Sequence, residues 1–596
     1  MHKQEKKYYT DEINHQILIS LLKQSGIKRV IASPGATNVS FVGSLQNDPF
    51  FEMYSCVDER SAAFMACGMA AETGEPVVLS CTGATSSRNY VSAMTKAFYD
   101  KLPVLAVTST QDARRVGHMI AQVTDRKLKP SDSCVHAEYI PSCSDETSIW
   151  DATIRINRCL LALKHRGGGP VHINLATTYS RNFSVKKLPL AHLIRRATIY
   201  DNFPEMPHGR VAVFVGSHVK WTDGLTDAID RFCTKYGAVV WGGYCSNLTS
   251  RFSVSNGLIA AQDKYHPSIF RSDLLIHIGE VSGDYANMGR VGGNAKKVWR
   301  VSKDGELRDQ FRKLTRVFEM SEEDFFTHYA NGCDKVAETN AYLETCRQEY
   351  ERVMSKMVEM PFSNLWIAQK SLSEIPEGSV LHLGILNSLR AWGMFEKPKN
   401  VSTYVNSGGF GIDGVMSSCI GGAIAQQDNL HFLVIGDLAF FYDMNSLLNA
   451  HFPANMRILL INNGKGVEFR NYNHHAAIFG DDADKYMAAA GHFGNKSDTF
   501  VRHLTENCGY EYLSATNKEE YTKNALKFFN RGGVKKPILF EVFTTDEDES
   551  DALRIIKHLE RDKCYWFYNV AYKLARKILP PKVMDILKGK VRRIIH

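Results

Sequence analysis

The sequence predicts an α/β fold: three successive domains with mostly parallel sheets, followed by a helical, basic C-terminal tail. Three observations carry that expectation. Short runs rich in β-branched residues alternate with stretches of helical periodicity along most of the chain. At 596 residues the chain is too long for one core and suits about three or four globular units. Polar, proline-bearing breaks divide the alternation into blocks. An apolar share of 44% and a charged share of 23% are ordinary for a folded, water-soluble protein.

The first block, residues 8–190, carries strands in KRVIASPG, EPVVLSCTG, PVLAVTS and PVHINLA. Between them NHQILISLLKQSG, ERSAAFMACGMAAETG and NYVSAMTKAFYDK have helical periodicity, and the first two close on a glycine suited to a helix C-cap. A polar stretch at 201–207 leads into the second block, 205–345, with VAVFVG, AVVWGG, LLIHIG and KVWRVS. The third block, 360–550, runs through SVLHLG, VSTYVN, HFLVIGD, RILLINN and PILFEVF, repeating the rhythm of the first. Residues 551–596 form an appendage whose basic, aromatic sequence is broken by Pro580 and Pro581 into two short amphipathic candidates.

Composition also excludes. The N-terminal segment is charged, and no apolar run is long enough to cross a bilayer, so a cytoplasmic protein is expected. The 13 cysteines are scattered, without a CxxC pair or a local cluster with His, which suits reduced thiols and speaks against zinc and structural disulfides. The net charge of +8 is modest and concentrated in the last fifty or so residues, so nucleic acid is not an expected partner. The tail has three readings: helices packed on this or a neighbouring subunit, a partner-docking element, or peripheral contact with an anionic membrane. The last would act through Lys573, Arg576, Lys577, Arg592 and Arg593 beside Trp566 and Phe567.

The chemistry concentrates in the third block. HFLVIGD ends a strand on a glycine and a carboxylate, and RILLINN ends the next on paired Asn. Open parallel sheets bind ligands at their carboxyl edge, so Asp437 and Asn463 are placed to ligate one cation. An all-oxygen set with one carboxylate suits octahedral Mg²⁺, which completes its shell with phosphate oxygens and water, so a diphosphate is the natural second ligand. Gly464 and Gly466 let the backbone approach that diphosphate, and the Lys465 carbonyl between them offers a further oxygen. Two other readings compete. Gly409, Gly411 and Gly414 form a GxGxxG with Asp437 as a candidate ribose acid, but a dinucleotide site leaves Asn462, Asn463 and the first block unexplained. Asn after a strand is also ordinary turn chemistry.

Taken together, IGDLAFFYDMNSL followed by LLINNGKGVEF resembles the GD…NN signature of thiamine-diphosphate enzymes. The likeness extends over nearly the whole chain before the tail, in the pyrimidine-domain, middle-domain, diphosphate-domain order of the acetolactate synthase type. ASPGATN, VDERSAAFMACGMA, GGGPVHINLA and GGFGIDGVMSS resemble most the menaquinone-pathway SEPHCHC synthase branch, which adds decarboxylated 2-oxoglutarate to isochorismate.

The resemblance implies thiamine diphosphate and Mg²⁺, without FAD. Glu59 matches the glutamate that hydrogen-bonds the cofactor's aminopyrimidine and promotes formation of a C2 carbanion, which leads through an enamine to product. Taken alone, Glu59 is a helix first-turn acid. Ile412 matches the apolar residue that props the cofactor into its bent form. Asp437, the Asn463 side chain and the Lys465 carbonyl match the metal ligands; Gly436, Leu438, Asn463 and Gly466 flank the diphosphate; Pro34 and Thr82 also fall at the cofactor. Gln122 matches a glutamine facing the reacting carbons, and Asn89 an amide near the domain contact. Ala439 departs from the family, which often has a hydroxyl residue there. The family pattern implies a homodimer or homotetramer in which the Glu59 domain of one subunit caps the cofactor held by the Asp437 domain of another.

The implied reaction is carboligation or decarboxylation of a 2-oxo acid, with an aldehyde-like or alkene acceptor. The relatives grip two multiply charged acids with arginines. Here Thr37, Gln111 and Ser407 stand where those arginines would be, and Arg390 alone is retained, so a smaller or less charged 2-oxo acid is expected. The alternatives are true SEPHCHC synthase activity and a non-catalytic cofactor-binding or interaction protein. His474 and His475, after the signature, are further substrate-side candidates because imidazole titrates near neutrality, and His382 is a weaker one.

Overall fold

The computed structural model describes residues 7–123, 130–398, 400–492, 497–532 and 535–560. The basic tail beyond residue 560, with the readings placed on it, lies outside the described residues. Three sheets are present, and every strand pairing described within them is parallel.

The first sheet comprises β1 (Arg29–Ala32), β2 (Glu52–Ser55), β3 (Val77–Thr82), β4 (Val104–Thr110), β5 (His136–Ile140) and β6 (Val171–Ala176), in the order β2-β1-β3-β4-β6-β5. Its two faces bury different side chains because successive residues of a strand alternate. Val30, Val78, Leu105 and Val107 pack with Leu18, Leu21 and Leu22 of helix Ile13–Gln24. Ile31, Val77, Leu79 and Cys81 pack on the opposite face with Ala62, Ala63 and Ala66 of helix Glu59–Thr73. That second helix starts where the Asp58 carboxylate accepts from the Ser61 amide and stops at Gly74, whose φ of 65° is the left-handed geometry of a glycine cap.

The middle strands are β7 (Arg195–Thr198), β8 (Val211–Val215), β9 (Val239–Gly242), β10 (Ser253–Ser255), β11 (Ser272–Ile278), β12 (Ala295–Ser302) and β13 (Leu314–Glu319). The described residues divide into two compact units, those within 7–204 and 297–321, and those within 205–296 and 322–560. Of the middle sheet, β10-β9-β8-β11 run in the second unit; β13, β7 and most of β12 belong to the first.

The third sheet comprises β14 (Val380–Leu383), β15 (Ser402–Val405), β16 (His431–Gly436), β17 (Met456–Asn462), β18 (Glu511–Ala515) and β19 (Ile538–Phe543), ordered β15-β14-β16-β17-β19-β18. This is the order of the first sheet, strand for strand. In both, the chain runs from the first strand outward to the second and then returns to the other side for the third. The carboxyl ends of β1 and β3, and of β14 and β16, are therefore topological switch points, where open α/β sheets bind ligands. Among the described residues no helix is long and apolar enough to cross a membrane, and the described cysteines are free thiols.

Candidate active site

At the switch point of the first sheet, Ser33 follows β1 and donates its amide to the Ser80 carbonyl of β3 at 2.8 Å. Pro34 and Gly35 come next, and Gly35 lies so close to Thr82 that a Cβ there would stand 2.0 Å from the Thr82 Cγ2. Only glycine permits that approach. The Thr37 hydroxyl donates to the Ser109 carbonyl of β4 at 2.8 Å, and the Asn38 amide to the Ser33 carbonyl at 3.0 Å, which tie the loop across three strand ends. Ser33, Pro34, Gly35, Tyr54 and Ser55 line a cavity of about 440 Å³ at this edge.

Glu59, half-buried, opens its helix, and the Asn89 side chain donates to its Oε2 at 2.9 Å. Two residues singled out separately in the sequence are thus a hydrogen-bonded pair. Gln111, one residue past β4, accepts at its Oε1 from Arg115 Nη1 at 2.7 Å. Sequence reasoning missed Arg115: it compared position with position, whereas the guanidinium arrives from four residues downstream. Gln122 lies in an exposed turn of the same loop, with φ at 62°.

At the switch point of the third sheet, Gly436 ends β16 and Asp437 opens helix Asp437–Asp443, 3% exposed, with its Oδ1 accepting from the Leu438 amide at 2.8 Å. The neighbouring β17 ends in the Asn pair, whose members differ. Asn462 is structural: its amide donates to buried Glu541 at 2.7 Å, and its side-chain oxygen accepts from the Gly464 amide at 3.2 Å. Burial raises the pKa of the Glu541 carboxyl. Asn463 instead leaves its Oδ1 buried without a hydrogen-bond partner. A buried amide oxygen left so costs about 1–3 kcal/mol unless a ligand satisfies it.

Beside these groups there is room. A Cβ added to Gly436 or Gly464 would meet nothing within 4 Å, and Gly464 has φ at 79°. Gly466 is tighter, its amide bonded to the Ala488 carbonyl and its missing Cβ 3.2 Å from Leu438 Cδ1. The Lys465 ammonium is turned away to Asp484 and Asp546 at 2.7 and 3.3 Å, which raise its pKa. Ile412 is half-buried against the cluster that includes Val415, Phe440 and Ala439; Ala439 is a core residue. Oxygen donors around glycine-bounded space fit a diphosphate and its hard cation.

The GxGxxG reading does not survive the topology. Its glycines follow edge strand β15, while Asp437 follows β16, and β14 lies between the two. A dinucleotide fold puts the ribose acid on the strand next to its glycine-rich turn. Here Asn406 braces the loop by accepting from the Gly409 amide and donating to the Gly411 carbonyl, and Gly414, φ at 68°, precedes helix Val415–Ala425.

On the substrate side, Arg390 is ion-paired with Glu468, a partner the sequence did not suggest. Ser407 is buried, 4% exposed. His474 accepts at its Nδ1 from the Ala476 amide at 3.1 Å, and its ring lies tilted against that of exposed His475 with centroids 4.3 Å apart, so the pair closes a turn.

A family model described as "Thiamine pyrophosphate enzyme, N-terminal TPP binding domain" matches residues 14–128, which span the switch point of the first sheet and Glu59. With the oxygen-lined space at the corresponding edge of the third sheet, the class is defined: the chain is a thiamine-diphosphate-dependent enzyme. Within that class it is similar along its length to 2-succinyl-5-enolpyruvyl-6-hydroxy-3-cyclohexene-1-carboxylate (SEPHCHC) synthases. It is 28% identical to that of Bacteroides thetaiotaomicron over 578 residues, covering 93% of this chain and 100% of the relative. It is 26% identical to one from Bacteroides fragilis, covering 92% and 99%, and 25% identical to that of Porphyromonas gingivalis, covering 92% and 97%.

Proposed function

We propose that the chain binds thiamine diphosphate with Mg²⁺ at the carboxyl edge of its third sheet and uses them for carboligation or decarboxylation of a small 2-oxo acid. The unsatisfied Asn463 Oδ1 beside buried Asp437 carries the reading. Asp437, the Asn463 side chain and the Lys465 carbonyl hold the cation; Gly436, Leu438 and Gly466 border the diphosphate; Ile412 supports the bend. Pro34 and Thr82 belong to the pyrimidine side, where Glu59 manages the proton on the ring and Asn89 keeps its carboxylate aimed. Gln122 faces the reacting carbons. When bound, the cofactor supplies a nucleophilic carbon and an electron sink for loss of carbon dioxide. Residues 8–190, 205–345 and 360–550 serve as pyrimidine-binding, middle and diphosphate-binding domains of a homo-oligomer.

A small, weakly charged substrate is favoured because Glu468 already neutralises Arg390 and because Thr37 is bonded inward to Ser109. A specific observation favours a second reading, SEPHCHC synthase activity: Arg115 brings a guanidinium to Gln111, where the relatives' arginine is missing, and the likeness to those enzymes covers more than nine-tenths of this chain. Carbon dioxide release, measured with cofactor and Mg²⁺ across 2-oxo acids, tests both. Turnover of monocarboxylic acids, with little on 2-oxoglutarate even when isochorismate is added, is the expected result. Preference for 2-oxoglutarate with isochorismate would establish the second reading, and release with no acid would overturn the proposal.

A further inference from the structure

Away from the cofactor edge, strand pairing and one helix bring together three donors that lie far apart in the sequence. Val380 of β14 pairs with His431 of β16, so His382, two residues on from Val380, projects from the same face of the sheet as His431. Helix Val415–Ala425 packs on both strands and carries Cys419, fully buried. One turn beyond Cys419 stands Gly422, where a Cβ would lie 3.4 Å from His431 Cε1 and 3.5 Å from His382 Nε2. A Cβ there would be in ordinary contact with both rings, so the two imidazoles lie directly against this face of the helix.

One ligand atom each from His382, Cys419 and His431 lies within 4.8 Å of the others. His382 is 6% exposed and His431 1% exposed. His382 Nε2 is buried without a hydrogen-bond partner, and the buried His431 ring meets the backbone of Gln426. Buried polar atoms are satisfied in the great majority of cases, so an orphaned imidazole nitrogen on His382, beside a second buried imidazole and a thiol, needs an explanation. A cavity of about 1070 Å³, lined among others by His382, Tyr404, Asp413, Ser418 and His431, offers a way in and room for a water.

We propose that His382, Cys419 and His431 form a Zn²⁺ site of the His₂Cys type, with its fourth position open to this cavity. Two imidazoles and a thiolate are a borderline-soft donor set that zinc accepts at about 2.0–2.1 Å for nitrogen and 2.3 Å for sulfur. Closing the trio onto an ion takes side-chain rotation, and coordination replaces the thiol proton. The ion would pin the helix to β14 and β16 just beyond the loop that carries Ile412. Local sequence spacing spoke against zinc because that argument recognises only ligands close along the chain, whereas this trio is assembled by register.

The test uses the full-length protein, stripped with a chelator and titrated with Co²⁺ as a spectroscopic stand-in for zinc. The expected result is about one Co²⁺ per chain with a thiolate-to-cobalt charge-transfer band and tetrahedral visible bands, displaced by Zn²⁺. Cys419→Ser should abolish the charge-transfer band, and His431→Gln should weaken Co²⁺ binding by at least about tenfold. Absence of the band in the wild-type protein would overturn the proposal, as would a band that persists in Cys419→Ser. If Cys419→Ser does not fold, His382→Gln decides: weakened binding supports the site, and unchanged binding overturns it.

Discussion

The Asn89 side chain donates to Glu59 Oε2 at 2.9 Å, and on the proposed reading that bond aims the carboxylate. An amide donating to one oxygen fixes the orientation of the other. Glu59→Gln is expected to lower kcat by about 10²–10⁴ while cofactor binding, read by calorimetry, is largely kept. Asn89→Ala should cost less, about tenfold, because the acid remains but is no longer aimed; an effect as large as that of Glu59→Gln would show that Asn89 does more than orient. On the other sheet, Asp437→Ala and Asn463→Ala should each remove the Mg²⁺ dependence of cofactor binding, whereas an Asn462 substitution should first affect stability, since its amide braces buried Glu541. The residue types at these positions were legible in the sequence. The resemblance also singled out Asn463 rather than Asn462 for the metal; the bond from Asn462 to Glu541 was not legible, because only the fold brings that amide beside β19.

Two strand ends and two helices show what elements add. Gly35 and Thr82 are so close that Gly35→Ala should destabilise the first unit by about 1–3 kcal/mol in denaturant unfolding. Thr82→Ser removes the clashing Cγ2, so the double variant should recover much of that loss; failure to recover would mean that the backbone rather than Thr82 is the obstacle. In the second unit, Glu549 on helix Asp546–Ile556 accepts from the Asn364 amide that opens helix Asn364–Ser371, at 2.9 Å, and from the Thr544 hydroxyl at 2.8 Å. Burial pushes its pKa up from 4.5 to about 7. A raised acid favours the fold fully below its unfolded pKa and loses that contribution as pH rises through about 7, with a slope of about 1.4 kcal/mol per unit in that window. Glu549→Gln keeps both acceptor contacts and should flatten stability between pH 4.5 and 7, measured by urea unfolding. Legibility divides at this scale too. The central strands were visible as apolar runs because both their faces are covered. The edge strands β2, β5, β7, β10 and β18 were not, since half-exposed segments such as EMYS and EYLSA carry little hydrophobic signal. β13, LTRVFE, is interior yet was missed, because its polar residues interrupt the run.

At the scale of the whole molecule, the first and third sheets share one strand order, and each presents a switch point: Glu59 belongs to one compact unit and Asp437 to the other. A homo-oligomer in which these parts meet across a subunit boundary makes a sharp, quantitative claim. In such a dimer each of the two sites draws Glu59 from one chain and Asp437 from its partner, so a chain carrying Glu59→Gln and a chain carrying Asp437→Ala are both inactive as homodimers. Paired with each other, they place both lesions in one site and leave the second intact. Random mixing by co-expression should therefore restore about a quarter of wild-type activity, since half the dimers are mixed and each mixed dimer has one working site. Differently tagged chains allow the mixed species to be isolated, and it should show about half the wild-type kcat with an unaltered KM. If each chain instead builds its site from its own Glu59 and Asp437, every site in the mixture carries one lesion and activity stays at background. Analytical ultracentrifugation of the same samples fixes the oligomer size, so a failure to associate is distinguished from a site completed within one chain.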